Sequence, residues 1–217
     1  EGRHAITAYM LHNIQSVGVD LSHRDLSITR DRFKEFEEPD NGNKSLFISV
    51  ADGARLPFAD NSFDKVICSE VLEHIPNYRA VLREISRVLK VGGTFAASVP
   101  RFFPEWICWR LSDAYHAAEG GHIRIFNASH LRADIEDLGF VFFRQHHAHA
   151  LHVPYWWLKC LFWREPGAAE TKIVTTYHQF LIWDLMKQPR ITRFMDALLN
   201  PVMGKSVVMY FVKGQQP

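Results

Sequence analysis

Apolar residues recur along this chain in two rhythms, and the rhythms alternate. Residues 3 to 15, RHAITAYMLHNIQ, set Ile6, Met10, Leu11 and Ile14 near helical spacing, with Gly18 beyond them as an expected turn. SVGVDLS then predicts a short strand ending in Asp20, residues 24 to 37 a second helix, and Pro39 to Lys44 a loop. SLFISVAD is the next strand and closes on Asp52. FDKVICSE is a near-continuous apolar run, the pattern expected of a parallel strand buried on both faces. In residues 76 to 90, Val81, Leu82, Ile85, Val88 and Leu89 form one stripe, with Pro76 near the start and Gly92-Gly93 past the end. GTFAASVP follows as a strand. Strand and helix in this order predict right-handed crossovers and an α/β, mostly parallel, doubly wound sheet.

The later chain reads differently. NASHLRADIEDLGF is a capped helix and FVFFRQHHAHA a strand; residues 151–205 are aromatic and irregular, and KSVVMYFVKG is a last, antiparallel strand. This divides the chain into a core over residues 1–150, an aromatic insert over 151–205, and a return to the core over 206–217. A length of 217 residues suits one domain with an elaboration. A net charge of +1 offers no electrostatic reason for binding nucleic acid. Cys68, Cys108 and Cys160 are odd in number and sit in apolar surroundings, which argues against a disulfide framework and for a reducing, cytoplasmic setting. No apolar run reaches the roughly 18–20 residues of a membrane span.

One stretch is specific enough to name a family. Residues 51 to 100, ADGARLPFADNSFDKVICSEVLEHIPNYRAVLREISRVLKVGGTFAASVP, resemble the central part of class I S-adenosylmethionine-dependent methyltransferases, especially the small-molecule group that includes quinone-biosynthesis enzymes. The match is an ordered one: an acid before Gly-Ala, LPFADNSFD before a strand, LEHI after it, and RVLKVGG closing the next helix. It is clear over roughly residues 1–145 and fades in the aromatic segment. The resemblance implies a Rossmann-like fold with S-adenosylmethionine as cofactor. The family's first strand and most of its glycine loop have no counterpart here beyond Glu1-Gly2, so these are expected to precede residue 1.

The resemblance also assigns residues. Asp20, at a strand end, would accept hydrogen bonds from the ribose hydroxyls, as an acid does in dinucleotide folds, and Leu21 would pack on adenine. Asp52 would meet the adenine amine, with Gly53 and Ala54 letting backbone approach the ring. For both acids the plain alternative is a turn aspartate. Ser69 and Glu70 fall where cofactor and acceptor should meet. Methyl transfer from a sulfonium needs chiefly an aligned acceptor, with a base where the acceptor carries a proton; His74 and His122 are the candidates. The partner expected is a small, apolar or aromatic, lipid-like molecule.

Three alternatives accompany that reading. Glu70, Glu73 and His74, with His122, could instead hold a divalent ion that binds acceptor oxygens. The domain could be an inactive binding module. A nicotinamide-dependent oxidoreductase sharing the sheet is disfavoured by the match from Asp52 to His74. His146, His147, His149 and His152 invite a zinc reading, although a strand would set His147 and His149 on one face and His146 on the other. The insert, rich in Trp and Phe, would serve as a lid over the acceptor, with Lys159, Arg164 and Lys172 able to bring it to a membrane surface; an ordinary core extension or dimer face is the alternative.

Overall fold

The computed structural model describes residues 2–11, 13–38, 44–118, 120–164 and 169–215. α1 (Arg3–Leu11), β1 (Gln15–Asp20), α2 (His23–Phe33) and β2 (Ser45–Val50) form one unit in which β1 and β2 pair in parallel, Asp20 opposite Val50. Its small core joins Ile6, Tyr9, Phe33 and Leu46. Ser22 caps α2 by accepting from the Asp25 N–H at 3.2 Å. Gly18, expected in a turn, lies in mid-strand opposite Ile48, where an added Cβ would stand 3.6 Å from an Ile48 methyl.

β3 (Phe63–Ser69), a 3₁₀ turn at Leu72–His74, α3 (Tyr78–Val88) and β4 (Leu89–Pro100) follow. α3 forms because its apolar stripe buries Val81, Leu82, Ile85 and Val88, and because Asn77 caps it at the Ala80 N–H. It ends directly in β4: Leu89 pairs with Phe63, and the ladder then resumes at Lys65 and Thr94. Gly92-Gly93, expected just past the helix, therefore lies inside the strand as an irregularity. Gly92 takes φ +77, and a Cβ on Gly93 would fall 2.8 Å from the Lys90 carbonyl oxygen.

Then come α4 (Phe102–Leu111), α5 (Asp113–His116), α6 (Ala128–Glu136), β5 (Phe140–Ala148), a 3₁₀ turn at Ala150–His152, α7 (Val153–Leu161), α8 (Lys172–Lys187), α9 (Arg190–Met203) and β6 (Ser206–Lys213). β6 is antiparallel to both β4 and β5, giving the order β3-β4-β6-β5. The fold is α/β with an antiparallel last strand, as expected. The main core joins Leu72, Leu82, Leu89, Phe95, Leu131, Ile135, Met209 and Phe211. The aromatic segment is helical, with a cluster of its own around Leu151, Tyr155, Val174 and Leu181.

Two expectations are corrected. The strands make two hydrogen-bonded sheets rather than one, since no ladder joins β1 to β3 among the described residues. β3, expected to be buried on both faces, is an edge strand in which only Cys68 is fully buried and Ile67 is 54% exposed. Its apolar run records strand propensity, not a covering layer. The strand of the histidine cluster stops at Ala148, and His149 turns away at φ 65, so the two-face reading ends at His147. All three cysteines are buried free thiols.

Lys213 fastens the end of β6 to α3. It is 8% exposed, and its ammonium donates to Asn61 Oδ1 (3.1 Å) and to the carbonyls of Ser86 (2.7 Å) and Leu89 (2.8 Å). A cation at a helix C-terminus offsets the partial negative charge of its free carbonyls. Lys213→Met keeps the apolar stem and strands those acceptors. The expected loss of unfolding free energy is about 1–3 kcal/mol, measured by urea denaturation; an unchanged midpoint would refute this anchoring role.

Candidate functional site

The predicted residues gather in two groups. In the first, a bond from the Ala51 N–H to the Asp20 carbonyl (3.1 Å) brings the ends of β1 and β2 together, so Asp20 and Asp52 occupy neighbouring strand ends. Each carboxylate accepts locally through Oδ1: Asp20 from the Ser22 N–H and Asp52 from the Ala54 N–H, both at 2.8 Å. These are Asx turns, the plain role weighed for them, and they leave the second oxygen of each without a protein partner among the described residues. Leu21 is 67% exposed. Gly53 faces Val81 with room for an ordinary contact at 3.5 Å, and Ala54 packs on the main core. Gly2 has φ +69, and a Cβ there would collide with Thr29 at 2.3 Å, so glycine is required. Glu1 lies outside the described residues.

The loop after Asp52 is held from α3. Arg87 donates to the carbonyls of Leu56 and Phe58 and to Asp60 and Glu84, and Glu84 in turn accepts from the Leu56 N–H. That network explains why an acidic, turn-rich loop precedes an apolar strand: its backbone polar groups are satisfied by one arginine and one glutamate of the next helix.

The second group forms where β3 and β4 end. Ser69 and Ser98 share a hydroxyl hydrogen bond of 2.8 Å, Ser98 donates to Glu70 Oε1 at 2.9 Å, and the Glu70 N–H reaches the Ser98 carbonyl at 2.9 Å. Glu70 takes φ 52, an uncommon conformation for a side-chain-bearing residue that this bonding maintains. Its other oxygen stands 3.7 Å from Lys205. Beyond it, the Glu73 carbonyl accepts from the Ile123 N–H, His74 Nδ1 meets the Gly121 carbonyl at 3.1 Å, and the His74 and His122 rings lie 4.9 Å apart. His74, His116, His122 and Ile123 line an open cavity of about 460 Å³. No hydrogen bond or ion pair among the described residues links this group to the aspartate pair.

The chemistry turns on two buried acids facing one imidazole. His122 Nδ1 is 2.6 Å from Glu105 Oε1, which makes Nδ1 the donor and leaves the Nε2 lone pair directed elsewhere; Nε2 stands 4.0 Å from Glu73 Oε1. Burial opposes ionisation of Glu105, but bonds from His122 and Tyr115 and the charge of Lys205 outweigh it and hold that carboxyl below its usual range. Glu73 is completely buried and neither oxygen has a hydrogen-bond partner among the described residues. Burial, reinforced by the charge of Glu70, pushes its carboxyl up to about 7.

Sequence reasoning missed Ser98, Glu105, Tyr115 and Lys205. The signal for Glu105 was a lone acid in the apolar run FFPEWICW, a segment for which no element was predicted. The insert reaches this group: Tyr115 donates to Glu105 at 3.1 Å, and its ring lies 5.9 Å from both Trp156 and Trp163, while the Lys205 ammonium sits 5.5 Å from the Trp156 ring. Trp157 donates to the Pro104 carbonyl at 3.1 Å. Tyr155 and Lys159 stand at the Tyr-x-x-x-Lys spacing of some oxidoreductases, but Tyr155 is buried against His178 and Lys159 is 3.5 Å from Glu170.

Residues 2–97 match the family model described as a methyltransferase domain. That match covers less than half of the 217 residues and shows similarity to methyltransferase domains over that part of the chain. A stretch of 79 residues is 43% identical to a demethylmenaquinone methyltransferase of Listeria welshimeri, covering 36% of this chain and 31% of the relative. Another 79-residue match is 35% identical to methyltransferase GfsG of Streptomyces halstedii, covering 36% of this chain and 27% of that one. The matches thus span about a third or less of these relatives. Two solved structures share the fold: the [4+2]-cyclase SpnF, with TM-score 0.62 and 18% identity over 99% of this chain and 72% of that one, and geranyl diphosphate methyltransferase in complex with S-adenosylmethionine, with TM-score 0.61 and 14% identity over 96% and 72%.

The orphaned carboxyl gives the protein a pH signature. A group whose folded value (about 7) exceeds its ordinary 4.5 is preferred protonated, so its contribution is full below pH 4.5 and is lost as pH rises through 7. Glu73→Gln removes the titration and should be more stable than the parent at pH 8 by about 1–3 kcal/mol, with the gap closing near pH 4.5. Denaturant unfolding at both pH values measures this; a variant equally destabilised at both would contradict it.

Proposed function

We propose that the chain transfers a methyl group from S-adenosylmethionine to a small, apolar or aromatic acceptor by direct displacement. The observation that carries this reading is the pairing of Asp20 and Asp52 at adjacent strand ends, each with one carboxylate oxygen unused by the protein. Two such acceptors fit a nucleoside, whose ribose hydroxyls and adenine amine are donors. When bound, the cofactor supplies an already electrophilic methyl group, so the protein's share of the chemistry is positioning and proton removal. Asp20 and Asp52 orient; exposed Leu21 offers an apolar face; Ser69 and Glu70, fixed by Ser98, mark the boundary with the acceptor.

His122 is the base in this reading. Glu105 holds its Nδ1 proton and leaves Nε2 free to take a proton from an acceptor hydroxyl or acidic carbon as the methyl is transferred. His74, bound through Nδ1 to Gly121, flanks the same cavity. The cluster of Tyr115, Trp156 and Trp163 beside Glu105 supports an apolar acceptor. The quinone named for the Listeria relative belongs to that chemical class. Titration of the full-length protein with S-adenosylhomocysteine should give saturable binding, and Asp20→Ala should weaken it by about 1–3 kcal/mol. Unchanged affinity would remove Asp20 from the site, and absence of binding by the parent would favour a binding module that lacks the reaction.

A second reading is supported by one observation. Ligand atoms of Glu73, His74 and His122 all lie within 4.8 Å of one another, and the Glu73 oxygens are unpartnered. A divalent ion would neutralise that carboxylate and bind an acceptor oxygen, lowering its pKa. Glu70, first grouped with them, is instead committed to Ser98 and Lys205. Calorimetry with Zn²⁺ or Mn²⁺ should show binding that Glu73→Gln abolishes; failure of the parent to bind either ion would leave the metal-free route.

A further inference from the structure

The α8–α9 hairpin carries an amphipathic pattern the wrong way round. In α9, Ile191, Phe194, Met195, Leu198 and Val202 recur at i, i+3, i+4, i+7 and i+11, the spacing of one helix face, which ordinarily points into a core. All five are exposed, by 67, 67, 43, 65 and 74%. On its other side α9 is held by Leu199, packed on the Leu151–Leu181 cluster, and by two polar side chains: Asp196 accepts from the Leu151 N–H and from Asn200, and Asn200 accepts from the Ala150 N–H. The last two turns of α8 add Ile182, Trp183, Leu185 and Met186, exposed by 49, 46, 53 and 75%. The helices meet at Gln188, in the left-handed conformation, and Pro189.

Charge on the hairpin is as one-sided as its apolar surface. Lys172, Lys187, Arg190 and Arg193 are exposed, whereas its two acids, Asp184 and Asp196, are half-buried. Of the basic residues first considered for a membrane, Lys159 is drawn inward over the Tyr155 and Trp156 rings and toward Glu170. Within the described part of residues 151–205 the exposed cations are Arg164, Lys172, Lys187, Arg190 and Arg193, four of them on the hairpin.

We propose that the α8–α9 hairpin is a docking surface for an anionic lipid bilayer. An apolar stripe edged by Lys and Arg alone matches the two layers such a surface presents, acyl chains below and phosphates above, and the exposed Trp183 suits the level between them. Neither helix is long and apolar enough to cross a membrane, so the hairpin lies in the plane of the interface. A second copy of this chain is a poorer occupant, because a self-complementary contact would set the same basic rim against itself. Docking here stands apart from methyl transfer and does not depend on it.

Co-sedimentation of the full chain with phosphatidylcholine vesicles, with and without phosphatidylglycerol, tests the proposal. Binding should require phosphatidylglycerol and weaken with added salt. Arg190→Gln with Arg193→Gln should weaken it about thirtyfold, and Phe194→Ser with Leu198→Ser should abolish it while the circular dichroism spectrum stays unchanged. Equal binding to neutral vesicles, no binding, or unaltered binding by the arginine variant would overturn it. So would a dimer in sedimentation equilibrium that Phe194→Ser disperses, without vesicle binding by the parent. The arginine pair is exposed, so that arm stands even where the apolar variant misfolds.

Discussion

Burying like charges at one strand edge is the constraint on which the site depends. Glu70, Glu73 and Glu105 converge near the ends of β3 and β4, where the Lys205 ammonium and the His122 ring face them. Carboxylates taken out of water must be paired or must hold a proton. The protein does one for Glu105 and the other for Glu73. Glu105 has a short bond to His122, a tyrosine hydroxyl and a nearby lysine, and is held toward ionisation; Glu73 has no hydrogen-bond partner among the described residues and is pushed toward protonation. One imidazole thus lies between a carboxyl held toward ionisation and another pushed toward protonation, an arrangement that separates two chemically similar groups. The same asymmetry explains why an ion is a credible alternative to a proton at Glu73.

That constraint is met by backbone placement. The parallel register of β3 and β4 sets Ser69 beside Ser98, and the bond from the Glu70 N–H to the Ser98 carbonyl continues the ladder one residue past the strand. The price is a left-handed Glu70. Turning there sends the chain into the short 3₁₀ helix that buries Glu73 and aims His74 at Gly121. The sequence SEVLEH is therefore a strand end, a strained turn and a one-turn helix in succession, each placing one polar residue.

Much of this was legible because it is periodic or punctual. The stripe of α3, the strands, and the acids closing β1 and β2 all announce themselves within a dozen residues. What could not be read was long-range. Glu105, Tyr115 and Lys205 are single polar residues in aromatic or irregular stretches, and they meet His122, Glu105 and Glu70 only through packing. Nor could an apolar run tell whether a layer covers it, as the exposed side of β3 and the outward stripe of α9 both show. Propensity specifies the element; its neighbours decide its burial.

The shared fold leaves the chemistry open, since a cyclase and a methyltransferase both superpose on it. What narrows the chemistry is the way the insert joins the acids. Tyr115 is bonded to Glu105 and also lies against Trp156 and Trp163, and Lys205 is paired with Glu70 while facing Trp156. Any displacement of the aromatic wall therefore changes the surroundings of Glu105 and Glu70 together, and with them the hydration on which the ionisation of Glu73 depends. Exclusion of water from around these groups strengthens each charge interaction among them. Packing of the insert and the electrostatics of Glu105 and Glu70 are thus coupled through Tyr115, Trp156 and Lys205.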